Sequence, residues 1–86
     1  MKWEEARKAY ANKWILLEAI HAYSKDGRKI VEELSVINAY DEGKQALKEY
    51  AEKHKEDKIR EMYVYHTKHE KLFIEERTWI GVRKNG

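Results

Sequence analysis

Eighty-six residues hold one domain, which excludes a Rossmann unit joined to a substrate domain, a TIM barrel and most two-domain enzymes. Charged residues make up 40% of the chain and hydrophobic residues 42%, with three Trp, six Tyr and one Phe, enough apolar material to exclude a disordered chain. The 18 basic and 16 acidic side chains leave a formal charge of only +2.

Cysteine is absent, so disulfide scaffolds, thiolate zinc sites, thiol nucleophiles and cysteine-ligated clusters are excluded. The longest apolar run, Trp14-Ile15-Leu16-Leu17, is far too short to span a bilayer. Met1-Lys2-Trp3-Glu4-Glu5 does not read as a signal peptide, because acid comes at once and no apolar stretch follows. The expectation is a cytoplasmic protein without a membrane partner. The lack of proline and the weight of Lys and Glu lean towards a thermophile. Nonspecific nucleic-acid binders usually cluster Lys and Arg with little acid among them. Here the signs interleave, as in Lys53-His54-Lys55-Glu56-Asp57-Lys58, which favours a solvated face.

In chain order, residues 2–11 place Trp3, Ala6, Tyr10 and Ala11 on one stripe of a short leading helix. Asp26-Gly27 is the sharpest local signal, a dipeptide suited to a two-residue hairpin turn in which both central residues need positive φ. With Lys25 opposite Arg28, one face gathers Tyr23/Ile30, Ala19/Leu34 and Leu17/Val36, with Ile15 beyond and His21/Glu32 interrupting. The other face carries Ala22/Val31, Ile20/Glu33, Glu18/Ser35, Leu16/Ile37 and Trp14/Ala39. A helix competes for residues 14–24, whose Leu, Glu and Ala are good helix formers; the β-branched clustering and the apolar pairing favour strands.

Gly43, Ala46, Leu47, Tyr50, Ala51 and His54 share one helical face, with Asp41 placed as N-cap and Lys53 to Lys55 suited to the C-terminal end. Met62-Tyr63-Val64-Tyr65-His66 alternates as a strand. Leu72-Phe73-Ile74 begins another, running through Trp79-Ile80 to about Val82. A loop over 67–71 would oppose His66 to Leu72, Tyr65 to Phe73 and Val64 to Ile74. Arg83 to Gly86 reads as a frayed tail. The chain is therefore expected to be α+β: an antiparallel sheet of two β-hairpins, one amphipathic helix on a face and a short N-terminal helix.

Tyr10-Ala11-Asn12-Lys13-Trp14-Ile15-Leu16-Leu17, the Ala46-Leu47 helix and Met62-Tyr63-Val64-Tyr65 together resemble a family of short prokaryotic proteins known only as a domain of unknown function. The resemblance covers roughly residues 10–66. It departs at the hairpin, which is longer here, and at the final strand, which the short members lack. Such proteins are often encoded beside retropepsin-like aspartic proteases or in toxin–antitoxin-like pairs. The resemblance implies a β-β-α-β order and a partner-binding role, antitoxin- or adaptor-like, and carries over no catalytic residue.

The residues offer little chemistry. His66, His69 and Glu70 have ligand-like spacing, but Lys68 and Lys71 would repel a cation, so no metal is expected. His21 and Glu32 form a candidate acid–base pair; more often such a pair satisfies polar groups at a sheet margin. Glu32-Glu33 and Glu75-Glu76 point to opposite faces of their strands and make no dyad. Ser24 and Ser35 sit in no nucleophile elbow, and no glycine-rich phosphate loop exists. Neither a catalytic site nor a cofactor is expected.

The aromatic set carries the functional expectation. Tyr63, Tyr65 and Phe73 share a strand face, with Arg77 and Trp79 further along, while Met62, Val64, Leu72, Ile74, Ile80 and Val82 face the helix. Three readings stay open: the leading helix covers this face, the face is a protein interface or homodimer seam, or it stacks unpaired bases. The expected function is a small non-catalytic interaction module that binds a protein partner or itself, most simply as a homodimer, through Tyr63, Tyr65, Phe73, Arg77 and Trp79. The alternative is a single-stranded nucleic-acid binder using the same residues.

Overall fold

The computed structural model describes residues 1–75. Along them run α1 (Trp3–Ala9), β1 (Trp14–Lys25), β2 (Arg28–Tyr40), α2 (Gly43–Glu56), β3 (Met62–His66) and β4 (Ile74–Glu75). The strands form one antiparallel sheet in the order β3-β1-β2-β4, and the chain is α+β. No helix among the described residues is long and apolar enough to cross a membrane.

The β1–β2 hairpin forms as its turn dictates. Asp26 and Gly27 both take positive φ, 52° and 76°, the left-handed pair that matches the twist of two adjoining strands. Residues 14–25 are thus strand, not helix. Lys25 opposes Arg28, Tyr23 opposes Ile30, Ala19 opposes Leu34 and Leu17 opposes Val36, as expected. Two irregularities depart from the uniform register. Ile37 is an extra residue on β2, so Leu16 opposes Asn38 and Trp14 opposes Tyr40. Nearer the turn His21 opposes Glu33, and beyond that slip Val31 joins the core cluster while Tyr23 lies exposed.

The second expected hairpin does not form. β3 pairs with β1, from Trp14↔His66 to Glu18↔Met62, and β4 pairs with β2 through Arg28↔Glu75 and Lys29↔Ile74. The chain after His66 therefore crosses one face of the sheet instead of turning back along β3. Pairing with β1 sets Tyr63, Val64 and Tyr65 beside Leu17, Leu16 and Ile15. Trp79, Ile80, Val82 and the tail from Arg83 lie outside the described residues.

Both faces of β1 are covered at Ile15, Leu16 and Leu17. On one, Trp3 and Ala6 of α1 bury Ile15, Leu17 and Leu34, with Tyr63, Tyr65 and Leu72 packed around them. Leu72 thus belongs to the tyrosine side of the sheet, not to the α2 side. On the other face α2 packs across β1, β2 and β3, and Leu16, Ala46 and Met62 are buried. α2 is rotated from the expected stripe: Glu49 and Lys53 turn partly inward, while Leu47 and Ala51 face outward. Two contacts set this rotation. The Trp14 ring lies so close beneath Gly43 that an added Cβ would stand 3.1 Å from it, and the Tyr40 hydroxyl donates to the Glu49 carboxylate. The N-cap is Glu42, whose N–H donates to Gln45 Oε1 at 3.4 Å, whereas Asp41 forms an ion pair with Lys13.

Thr67 holds the two ends of this assembly together. It is the one buried polar residue among those described. Its Oγ1 donates to the Tyr10 carbonyl at 2.7 Å and accepts the Lys13 N–H at 3.0 Å, and its N–H donates to the Lys13 carbonyl at 2.9 Å. Arg7 Nε donates to the Thr67 carbonyl at 3.0 Å, and Trp3 Nε1 to the His69 carbonyl at 3.1 Å. Thr67→Val keeps the shape but strands the Lys13 N–H and the Tyr10 carbonyl, so urea unfolding is expected to show a loss of about 2 kcal/mol. Thr67→Ser should recover most of it.

Candidate functional site

The structure brings Tyr63 and Tyr65 to one sheet face, where they are half-buried under α1 and the crossing segment. The Trp3 ring meets Tyr65 edge-on at 5.6 Å, and the His69 ring lies 5.0 Å away. The Tyr65 hydroxyl accepts the Phe73 N–H at 3.2 Å. Tyr63 donates to Glu61 Oε2 at 2.7 Å, and Lys29 Nζ stands 3.3 Å from the same oxygen. At Tyr63 and Tyr65 the leading helix and the crossing segment cover this face. Phe73 stays half-exposed, with the Arg28 guanidinium 4.8 Å above its ring. It does not stand opposite Tyr65 in a ladder. Arg77 and Trp79 lie outside the described residues.

The histidines do not converge. His66 packs edge-on against Trp14 at 5.1 Å and accepts the Lys68 N–H at Nδ1, while His69 lies on Tyr65 across the sheet. Among the described residues no three of His, Asp and Glu gather as a metal site. His21 Nδ1 stands 2.9 Å from Glu32 Oε1, but both side chains are well exposed, so the pair lacks the enclosure that acid–base work exploits.

Among the described residues one edge of the sheet stays open. The Ala19 N–H donates to the Glu61 carbonyl and the Thr67 N–H to the Lys13 carbonyl, both at 2.9 Å. This fixes the parity of the β1–β3 ladder: Tyr63 and Tyr65 turn their backbone groups to β1, and Met62, Val64 and His66 turn theirs outward. The His66 carbonyl is used by the His69 N–H. Among the described residues Met62 and Val64 have no backbone partner on the outer side. Beside them lies an apolar groove of about 220 Å³, lined by Leu47, Tyr50, Met62, Tyr63 and Val64. The opposite edge is partly closed, by β4 at Arg28 and Lys29 and by Met1, which exchanges backbone bonds with Leu34. The Met1 ammonium group also sits on Glu33 and holds that carboxyl below its usual range.

Sequence reading missed this edge because it assigned β3 a hairpin partner. Thr67 gave no signal, since a lone Thr in a loop is ordinary. Leu47 was assigned to the buried stripe by its periodicity. No family model, curated protein or solved structure matches the chain.

Burial against Trp14, with the charges of Lys68 and His69 adding to it, lowers the pKa of His66 from the ordinary 6.5. Below that value the unfolded chain takes up a proton that the folded chain refuses. Stability should therefore fall as pH drops from 6.5 to the folded-state value, and this contribution should level off below it. An NMR titration of the His66 ring should give a midpoint below 6.5, and His66→Gln should flatten the stability profile in that interval.

Proposed function

We propose that the chain is a small non-catalytic protein-interaction module that takes an extended strand along β3, and that the occupant is a second copy of itself. The observation that carries this reading is the composition of the open edge. Natural edge strands are guarded by charge, proline, bulges or covering loops. Met62-Tyr63-Val64-Tyr65-His66 holds no acid, Lys, Arg or proline, pairs with β1 without a bulge, and borders an apolar groove. Strand addition to such an edge draws affinity from main-chain bonds and selectivity from side-chain pockets.

The parity of the edge supports the second copy. An antiparallel partner must also present its outward residues, so Val64 meets Val64 of the other copy and Met62 meets His66. The segment is thereby self-complementary about a two-fold axis, the commonest symmetry of small oligomers. On the α1 face Tyr63 of one copy then lies across from Tyr65 of the other, a cross-strand aromatic pair. The tyrosines act as anchors from within a covered face instead of as an open platform. A single-stranded nucleic-acid binder needs accessible rings on which bases can stack, and the half-buried Tyr65 ring already packs against Trp3 and His69. The resemblance over residues 10–66 carries the same partner-binding implication.

Five paired residues and one groove make a small interface, so association should be concentration-dependent, with a dissociation constant of about micromolar. Light scattering behind a sizing column should show the mass rising from one chain to two. Val64→Pro removes only an outward N–H, a place where an edge strand tolerates proline, and should hold the mass at one chain with the fold intact by circular dichroism. Leu47→Lys, in the groove, should weaken association without touching the ladder. A single-chain mass at every concentration would overturn the second copy as occupant.

A further inference from the structure

A concavity larger than that groove lies away from β3's edge, between the end of α1 and the turn that follows β3. It measures about 390 Å³ and is lined by Glu4, Arg7, Lys8, Asn12, Thr67 and Lys68, with Ala11 at its wall. We propose that this cleft binds a phosphate-type dianion.

Three cations face one carboxylate here, a local surplus of two positive charges in a chain whose charges otherwise interleave. Among the described residues none of Arg7, Lys8 or Lys68 forms an ion pair, and Glu4 forms none with them. Arg7 and Lys8 have an ordinary explanation, since basic residues in a last helical turn complement the helix dipole. Lys68 has no such reason: it lies in the turn after β3, far from α1 in sequence, and lines the same cleft.

The cleft is also held in shape. Arg7 commits Nε to the Thr67 carbonyl at 3.0 Å, which fixes the plane of the guanidinium. Its two terminal nitrogens make no hydrogen bond among the described residues. A planar fork so oriented suits two oxygens of one anion. Thr67 is buried and pinned to Tyr10 and Lys13, so the wall carrying Lys68 is anchored by the best-satisfied polar residue of the fold. The surplus of two charges matches a dianion better than a monoanionic carboxylate.

The test is a titration of the full chain with sodium phosphate, read by amide chemical shifts and matched in ionic strength with sodium chloride. Saturable shifts confined to Asn12, Thr67, Lys68 and the end of α1, absent with chloride, are the expected result. Lys8→Gln/Lys68→Gln should weaken them about tenfold with the fold retained, since neither side chain makes a hydrogen bond or ion pair among the described residues. Lys44→Gln/Lys48→Gln on the outer face of α2 should change nothing. Equal shifts in the two salts, or no loss in the Lys8/Lys68 variant, would overturn the proposal. Acetate binding as tightly as phosphate would overturn the dianion in favour of a carboxylate. An oligothymidylate that saturates these amides where phosphate does not would overturn it in favour of a nucleic-acid strand.

Discussion

Three consecutive side chains of β1, Ile15, Leu16 and Leu17, are each fully enclosed. Because neighbouring residues of a strand point to opposite faces, this run requires cover on both sides of the sheet at one place. An 86-residue chain has few elements with which to provide it. α1 and the segment that crosses after His66 take the Ile15 and Leu17 side, and α2 takes the Leu16 side. β3 is then drawn to β1, where its own apolar run meets the same three residues. The strand order β3-β1-β2-β4 follows, and with it the position of the open edge.

Much of this was legible in the residues, and the divide between what was and was not is physical. Asp26-Gly27 determines its turn locally, because few other dipeptides accept two positive φ values, and the hairpin register near it follows. The span of α2 is local in the same sense. The errors arose where a tertiary contact outweighed a local pattern. Ile37 is extruded far from the turn, and no periodicity announces an extra residue. Leu47 fits the helical stripe as well as Glu49 does not, yet Tyr40 and Trp14 rotate the helix to bring Glu49 inward. Proximity in sequence pointed to β4 as a neighbour of β3, whereas β4 joins the far edge of the sheet beside β2 and β3 meets the apolar run of β1. Alternation puts Tyr63 and Tyr65 on one face, but their cover by α1 and the crossing segment is a tertiary contact that no local pattern announces.

The functional proposals rest on where the fold spends its few covering elements. Both faces of the central strand are closed at Ile15, Leu16 and Leu17, and the β2 edge is held at Arg28, Lys29 and Leu34. Among the described residues that leaves the outer side of β3, apolar and free of acid, Lys, Arg and proline, and the basic cleft at the end of α1. These lie at separate places and make separate demands on a partner, a strand for one and an anion for the other. The half-buried tyrosines join the fold to the first proposal: Tyr65 packs against Trp3 and His69 and Tyr63 bonds Glu61, while the strand between them turns its alternate backbone groups outward.

The most direct test of the account is residue-resolved amide exchange along β3 at two protein concentrations, one well below and one well above the association midpoint. In the dilute sample Tyr63 and Tyr65 should be protected by β1, while Met62 and Val64 exchange freely. In the concentrated sample Val64 should become protected and Tyr63 and Tyr65 should change little. Protection of Val64 in the dilute sample, or its free exchange in both, would contradict an edge that is open in the single chain and closed by a second.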